Sequence, residues 1–568
     1  MKKIFKNGSI VNVFTDTVER ADVLIEDSKI IGVGKYDNTD ADEAIDVSGK
    51  FIVPAFIDGH IHIESTMLTP SELAKICIPR GTGTIVADPH EIANVCGADG
   101  IRYMLEASEG LPLNVYFNLP SCVPATSFDE TGADLDADAL KSFYNEKRVL
   151  GLAEMMNYPG VIYGDVAVMQ KVKDALENGR IIDGHAPMLS GKELDKYISA
   201  GIQSDHECSS IEEAREKLSK GQWIMIRQGT AARNLEALLP LFDEPYNRRC
   251  LLVTDDRHPM DIVNEGHIDN IVCKAIAFGK PATVAIRMAT LNAAQCFGLS
   301  YVGAIAPAYK ADFLVLDNLD NVDIKDVYLN GKLIVENNEI KPFCEPCVSP
   351  EVLQKVQNSF ILNELAPKDF YIEANAPKCR VIKVLLGELI TEELQIEIDW
   401  NKNNGIDTER DILKLAVIER HNGTGHIGLG FINGIGLKNG AIASSISHDS
   451  HNIIVIGTNN DDMAVAANHV RNSGGNVVVC DGKIIADMPL SIGGLMTNEP
   501  AEKIAKKNEN VRSAVYGLGV PPEITPFMNM AFVSLPVIPK LKMTTQGLVD
   551  VNLWKRVSLY VEGEPYEE

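Results

Sequence analysis

The middle of the chain alternates short apolar runs with helix-like segments. Eight apolar runs lie between residues 55 and 253, the sixth of them at Gly201–Gln203, and a helix-like segment follows each run. A β-then-α repeat of this kind over roughly 250 residues predicts a parallel (β/α)8 barrel of the TIM type. We therefore expect an α/β fold in which residues 55–305 form a metal-dependent catalytic barrel.

Two strand-rich blocks flank this middle. Residues 1–54 and 306–345 alternate apolar and polar side chains, with turn residues between the short runs. Period-two alternation is typical of antiparallel strands, so we expect both blocks to build one small composite β domain. Residues 346–568 carry further strand patterns and a glycine-rich stretch. We expect an extra C-terminal α+β domain there.

Most of the predicted barrel strands end in ionisable residues. The C-terminal strand ends of a barrel meet on one face, where the active site lies. His60 and His62 are two residues apart on the first strand, so their side chains point to the same face. Imidazole and carboxylate groups bind first-row divalent metals. The sequence therefore predicts a metal site, and possible ligands end five of the strands: His60, His62, Glu154, His185, His206 and Asp255.

Charge and hydropathy exclude several classes of partner. The formal net charge is −26, which argues against nucleic acid and anionic membranes, because both are polyanions. No apolar run approaches the length of about 18 residues that a membrane span needs. The N-terminal segment lacks the apolar block of a signal peptide. Eleven scattered cysteines fit a reducing compartment, so we expect a cytoplasmic protein with free thiols.

Several motifs carry a resemblance to a known family. PAFIDGHIHIES at residues 54–65, DGHAP, SDHE and VTDDRH resemble motifs of the amidohydrolase superfamily. ADPHEIANVCG at residues 87–97 and GLAEMMNYPGV at residues 151–161, together with the C-terminal block, resemble the bacterial-type adenine deaminase family over the full chain. This resemblance implies hydrolytic deamination of adenine to hypoxanthine and ammonia, by attack of a metal-bound hydroxide on purine C6.

The resemblance also implies a binuclear centre with Mn²⁺ or Fe²⁺, for which Zn²⁺ is an alternative because these ligands accept all three ions. Glu154 would bridge the two ions where many relatives use a carboxylated lysine, since the run VLGLAEMMN offers no lysine. Four histidines would complete the centre as ligands: His60, His62, His185 and His206.

Two acids are implied to be catalytic. Asp255 would contact one metal and act as the general base that moves the proton of the attacking water. Glu207, next to His206, would donate a proton to purine N1, or would instead only orient His206. The implied substrate is a small purine, and we expect a homo-oligomer, with a dimer as the simplest form.

Four further residues are candidates for substrate binding. Asp88, His90 and Glu91 follow the second predicted strand and border the expected pocket. His90 and Glu91 would read the purine edge, or they are surface neighbours of an Asp-Pro turn. Arg227 ends the seventh strand, where it either holds an acid of the site or is solvated.

Alternative functions remain open at this point. A cyclic amidase or an amino-sugar deacetylase would use the same barrel, although a deacetylase for a phosphorylated sugar needs cations and the strand ends offer mainly Arg227 and Arg257. A non-enzymatic scaffold would be expected to lose its metal ligands. The segment Ser447–Asn452, with the sequence SHDSHN, is either a second metal loop, a lid or a dimer contact.

Overall fold

The computed structural model describes residues 1–230 and 232–561. The chain divides into two compact units. The first unit comprises Met1–Pro89, Met104–Ser121 and Asp136–Cys347. The second unit comprises His90–Tyr103, Cys122–Leu135 and Val348–Glu568.

The first unit begins with five strands of a mainly antiparallel sheet. Their alternating apolar side chains form a core in which the ring of Phe5 packs edge-on against Phe313 and Tyr328, at centroid distances of 4.9 and 4.8 Å. Such aromatic contacts add to the stabilisation that burial provides. The strands are β1 (Lys2–Asn12), β2 (Thr17–Glu26), β3 (Lys29–Gly34), β4 (Glu43–Asp46) and β5 (Phe51–Pro54).

Eight parallel strands follow and form the centre of the first unit. They pair in the orders β10-β9-β8-β7-β6 and β11-β12-β13. Strands buried on both faces read as continuous apolar runs, which is why the sequence pattern finds most of them. The strands are β6 (Phe56–Ile61), β7 (Thr82–Ala87), β8 (Asn114–Leu119), β9 (Val149–Met155), β10 (Ile181–Gly184), β11 (Ser204–Asp205), β12 (Trp223–Arg227) and β13 (Cys250–Val253).

The predicted parallel sheet is thus confirmed as a curled sheet, and single backbone contacts link its two parts. The Asp255 N–H donates to the His60 carbonyl at 2.9 Å, and the Gln203 N–H donates to the Ile182 carbonyl at 3.1 Å. The sixth strand lies at Ser204–Asp205 and not at the predicted Gly201–Gln203. Gly201 has a φ of +108°, because the chain turns there after the preceding helix.

Helices follow these strands along the chain. Helix α7 (Ile211–Ser219) begins after an N-cap, since the Ser210 hydroxyl accepts a hydrogen bond from the Glu213 N–H at 3.3 Å. Helix α2 (His90–Ala107) begins in the second unit and ends in the first. The helices are α1 (Pro70–Cys77), α2 (His90–Ala107), α3 (Ala137–Leu140), α4 (Tyr158–Tyr163), α5 (Val166–Glu177), α6 (Gly191–Ser199), α7 (Ile211–Ser219), α8 (Leu235–Leu238), α9 (Pro259–Asn264), α10 (Ile268–Ala277), α11 (Ala282–Met288) and α12 (Leu291–Cys296).

Four later strands complete the first sheet. Strand β5 pairs with β14 in antiparallel register, with Pro54 opposite Phe313. Strands from both flanking blocks of the sequence therefore share one nine-stranded sheet. The strands are β14 (Phe313–Asn318), β15 (Asp323–Leu329), β16 (Lys332–Glu336) and β17 (Glu339–Ile340).

The second unit contains the extra C-terminal α+β domain that the sequence predicts. An eight-stranded sheet has the order β19-β18-β21-β20-β23-β22-β24-β25, and helix α14 packs on it through alanine, valine and methionine side chains. The elements are α13 (Pro350–Gln357), β18 (Lys378–Val384), β19 (Thr391–Glu397), β20 (Leu413–Ile418), β21 (Ile427–Asn433), β22 (Ala441–Ser444), β23 (Ile453–Gly457), α14 (Asn460–Ser473), β24 (Asn476–Cys480), β25 (Lys483–Met488), α15 (Ala501–Gly517), α16 (Pro526–Val533), β26 (Leu541–Thr544), β27 (Gly547–Asp550) and β28 (Lys555–Val557).

Every helix within residues 1–230 and 232–561 is too short or too polar to cross a bilayer.

Two lysines of the second unit are buried among neutral acceptors. The Lys414 ammonium donates to the carbonyl of Phe370 and to the side-chain oxygens of Asn404 and Asn460, at 2.6 to 2.8 Å. The Lys542 ammonium donates to two backbone carbonyls. Burial lowers the pKa of both lysines to about 7, because a desolvated ammonium is disfavoured.

We expect the protein to become more stable as the pH rises above 7, and Lys414→Met to weaken this dependence. An unfolded lysine keeps a pKa of about 10.4, so between about pH 7 and pH 10 the unfolded chain binds the additional proton. Each such group adds about 1.4 kcal/mol per pH unit to the free energy of unfolding in this window. Urea unfolding at about pH 7.5 and about pH 9.5 measures this change in the free energy of unfolding. Equal pH dependence in wild type and variant would contradict the assignment.

Candidate active site

His60 lies near the end of β6 with one ring nitrogen anchored. Its Nδ1 is 3.1 Å from Oδ2 of Asp183, so Nδ1 carries the proton and donates it to the carboxylate. Its buried Nε2 has no hydrogen-bond partner in the part of the chain that the structure describes, and lies 3.7 Å from Oδ1 of Asp255. An imidazole fixed in this tautomer presents a lone pair suited to a metal ion.

His62 gives a second indication of a cation site. Its Nδ1 donates to the Asp88 carbonyl at 3.2 Å, which leaves the lone pair on Nε2 when the ring is neutral. That nitrogen lies 3.3 Å from a carboxylate oxygen of Glu154 and 3.3 Å from one of Asp255. A lone pair facing two buried carboxylates is repelled unless a proton or a metal cation lies between them.

Glu154, in strand β9, lies between His62 on one side and the pair His185 and His206 on the other. Its Oε1 faces His62. Its Oε2 lies 2.7 Å from Nδ1 of His185 and 3.2 Å from Nε2 of His206. The histidines at the ends of β10 and β11 thus share the second oxygen. The geometry of this carboxylate suits a bridge between two cations.

Asp255 and Glu207 share the guanidinium of Arg227. Arg227 donates to both oxygens of Glu207, at 2.6 and 3.0 Å, and to Oδ2 of Asp255 at 2.5 Å. Such charge-assisted contacts to a planar guanidinium fix the orientation of both acids. Of the two alternatives for Arg227, the structure shows the one in which it holds acids of the site.

Neighbouring charges dominate the protonation of the cluster. Burial alone would raise the pKa of Asp255, but the charge of Arg227 lowers it well below the usual range. Burial likewise opposes ionisation of Glu207, yet the charges of His185 and Arg227 lower its pKa. Burial would lower the pKa of His62, but hydrogen bonds to the surrounding carboxylates raise it well above its ordinary value. The site therefore holds ionised acids and needs positive charge, which a divalent cation supplies.

Several supporting residues were not identified from the sequence. Asp183, which anchors His60, accepts hydrogen bonds from the Ser204 hydroxyl and from the Gly184 N–H. The Tyr197 hydroxyl accepts from the His185 N–H at 3.0 Å and donates to the Met155 carbonyl at 2.9 Å. Asp183 stands in the DGHAP motif and could have been found there. Tyr197 lies within helix α6 and has no sequence signal.

The other predicted substrate residues are divided between the units. Asp88 belongs to the first unit and contributes its carbonyl to His62. His90 and Glu91 begin helix α2 in the second unit. There Glu91 lies 3.5 Å from Nδ1 of His448 and 3.9 Å from Nε2 of His451.

The SHDSHN segment therefore forms a cluster with Glu91 in the second unit. The Ser447 N–H donates to Nδ1 of His451 at 3.3 Å, which leaves the proton of the neutral ring on Nε2. Burial lowers the pKa of His451 well below its ordinary value, so the ring is neutral. The protonated Nε2 of His451 lies 3.9 Å from Glu91, which is beyond hydrogen-bond distance. Glu91, His448 and His451 offer ligand atoms within 4.8 Å of one another, so the second metal loop stays an alternative for this segment.

Comparison with known proteins agrees with this geometry. The Amidohydrolase family matches residues 51–334, which include the parallel strands and all six predicted metal ligands. The fold and the site thus define a member of the amidohydrolases. A second family, described as the adenine deaminase C-terminal domain, matches residues 388–555.

Full-length relatives identify the branch within this family. The adenine deaminase of Clostridium acetobutylicum is 45% identical over 97% of this chain and 96% of its own. Adenine deaminase 2 of Carboxydothermus hydrogenoformans is 45% identical over 98% of this chain and 96% of its own. The adenine deaminase of Desulfatibacillum aliphaticivorans is 44% identical over 98% and 97%. The chain belongs to the adenine deaminase family.

We expect Asp183→Ala to weaken metal binding by about 10- to 100-fold, because His60 loses the partner that fixes its tautomer. Competition of the purified protein with a chelator measures the affinity. Asp22→Ala is a matched control, since Asp22 is a buried carboxylate that pairs with Lys6 in the antiparallel sheet. Wild-type affinity in Asp183→Ala, or an equal loss in Asp22→Ala, would contradict the role of Asp183.

Proposed function

We propose that the protein hydrolyses adenine to hypoxanthine and ammonia at the cluster around Glu154. One observation carries this proposal: a buried carboxylate facing three imidazoles in a chain that matches adenine deaminases along nearly its whole length. Both halves of the observation are needed, because the cluster indicates metal-assisted hydrolysis and the relatives indicate the substrate.

We also infer that the eight parallel strands close into one (β/α)8 barrel over residues 55–305. The backbone bonds from Asp255 to His60 and from Gln203 to Ile182 support closure. The pairing of β5 with β14 supports a composite β domain from residues 1–54 and 306–345. Residues 346–568 would then form the third domain.

The residues present fit a pair of divalent cations. His60, His62 and Asp255 would hold one ion, His185 and His206 the other, and Glu154 would contact both. Histidine and carboxylate ligands suit Mn²⁺ or Fe²⁺, with Zn²⁺ as an alternative. A bound divalent cation of this kind makes hydroxide available near neutral pH.

The two acids on Arg227 would move the protons. Water supplies two protons: one ends on purine N1 and the other on the leaving ammonia, while a bond forms at C6 and the bond from C6 to the amino nitrogen breaks. Asp255, held ionised by Arg227, takes up a proton as general base and passes it on. Glu207 is also held ionised, so it delivers a proton to N1 only after it has accepted one.

The rival deacetylase function loses its support in the structure. A phosphorylated sugar needs an accessible cation, and the two arginines considered from the sequence are already engaged. Arg227 binds Glu207 and Asp255. The buried Arg257 donates to the carbonyls of Gly266 and Gln228.

Incubation of the metal-loaded protein with adenine tests the proposed reaction. We expect equal amounts of hypoxanthine and ammonia, loss of activity after chelation, and recovery when Mn²⁺ or Fe²⁺ is restored. Hypoxanthine is measured by absorbance and ammonia by a coupled assay. The proposal fails if neither metal supports turnover of adenine.

Asp255→Asn should lower kcat by about 10²- to 10⁴-fold, because the amide cannot take up the proton of the attacking water. The variant is measured at saturating metal, and its metal content is determined in parallel. This distinguishes loss of the general base from loss of a metal ligand. A fully metallated variant that retains kcat within about tenfold would exclude Asp255 as the base.

A further inference from the structure

We propose that Lys217, in helix α7, is a positioning residue that fixes His185 and His206 relative to each other. Its ammonium donates three hydrogen bonds. One goes to the Ala186 carbonyl at 2.7 Å, next to His185. A second goes to Oδ2 of Asp205 at 2.9 Å, next to His206.

The carboxylate of Asp205 completes the set of hydrogen bonds between the segments that carry His185 and His206. Its Oδ1 accepts a hydrogen bond from the Ala186 N–H at 2.8 Å, and its Oδ2 accepts from the Glu207 N–H at 3.2 Å. The Ala186 N–H is therefore bound directly to the segment that carries His206, and the Ala186 carbonyl is connected to it through Lys217. One side-chain pair, Lys217 and Asp205, links two predicted ligands that come from different strands.

One backbone hydrogen bond joins the strands that precede His185 and His206, from the Gln203 N–H to the Ile182 carbonyl at 3.1 Å. His60 and His62 lie at the end of a single strand, whose geometry fixes their spacing. His185 and His206 follow β10 and β11, which the structure places in two separate sheets. Strand β11 has only two residues, Ser204 and Asp205. The relative position of these two strand ends therefore depends on side-chain contacts in addition to that one backbone hydrogen bond.

The burial of the pair makes the link rigid. The side chains of Lys217 and Asp205 are both 0% exposed. The third hydrogen bond of the ammonium goes to Glu213, one turn earlier in α7, at 2.7 Å, so all three donors are satisfied. Burial would lower the pKa of Lys217, but the charge of Asp205 raises it, and the ammonium stays charged.

The inference rests on the proposed metal centre and specifies which ion depends on Lys217. In Lys217→Met, a side chain of similar length loses all three hydrogen bonds. We expect affinity for the ion held by His185 and His206 to fall by about 10- to 100-fold. The ion held by His60 and His62 should retain its affinity, because Lys217 donates to neither of their segments.

Stepwise loading with Mn²⁺ tests the inference. Mass spectrometry counts the bound ions, and electron paramagnetic resonance distinguishes a coupled pair from a single Mn²⁺. The wild type should bind two coupled ions, and Lys217→Met should show an uncoupled single ion at the same free Mn²⁺ concentration. Lys414→Met is the matched control, since it removes a buried lysine of the second unit and should leave both ions coupled.

A double variant separates positioning from stability. Lys217→Met leaves the charge of Asp205 buried without its counterion, so the single variant risks failing to fold. Asp205→Asn combined with Lys217→Met removes that charge. We expect this double variant to unfold at a temperature close to that of the wild type and still to lose the second ion.

The outcomes distinguish this inference from the proposed function. If Lys217→Met and the double variant both bind two coupled Mn²⁺ ions, the positioning role of Lys217 is overturned, and the proposed metal centre stands. If Lys414→Met also loses the coupled pair of ions, the positioning role of Lys217 is overturned, because removal of any buried lysine would then have the same effect on metal binding. A wild type that binds no ion overturns the metal centre and this inference together. Selective loss of one ion in the double variant supports it.

Discussion

The buried carboxylate of Glu154 is the group on which the rest of the site depends. An ionised carboxylate in a protein interior is strongly unfavourable unless it is paired and hydrogen-bonded. Glu154 is only 4% exposed and faces three imidazoles. The strands that carry those imidazoles must therefore end around it. This requirement explains why the polar residues of the parallel sheet gather at one set of strand ends.

A second constraint is that the site contains more acids than permanent cations. Arg227 is shared by Glu207 and Asp255, and the imidazoles compensate the remaining negative charge only when they are protonated. Metal cations replace those protons and release the imidazole lone pairs as ligands. The anchored Nδ1 atoms of His60 and His62 direct the Nε2 of each ring toward buried carboxylates. Loss of the Nε2 proton from His62 would leave it in the tautomer that a metal ligand needs.

Much of the proposed site follows from the sequence because its predicted ligands stand at the ends of apolar runs. Residues that contact the segments around those predicted ligands carry no such signal. Tyr197 and Lys217 lie within helices. A tyrosine or lysine in a helix is usually explained by the amphipathic pattern, so neither residue stands out in the sequence. Strand β11 was misplaced because Ser204 and Asp205 are polar, and they are buried only because Asp183, Ala186 and Lys217 satisfy them. The grouping of Glu91 with His448 depends on long-range folding that periodicity does not encode.

The bridging role proposed for Glu154 also has a geometric consequence. A carboxylated lysine is longer and reaches ions that lie further from its strand. Glu154 has a short side chain, so the three histidines around it must lie close to its two oxygens. The rings of His60 and His206 accordingly stack with centroids 4.3 Å apart. Such close packing tolerates little displacement of a strand end, which explains why the site is surrounded by buried polar contacts such as those of Asp183, Tyr197 and Asp205.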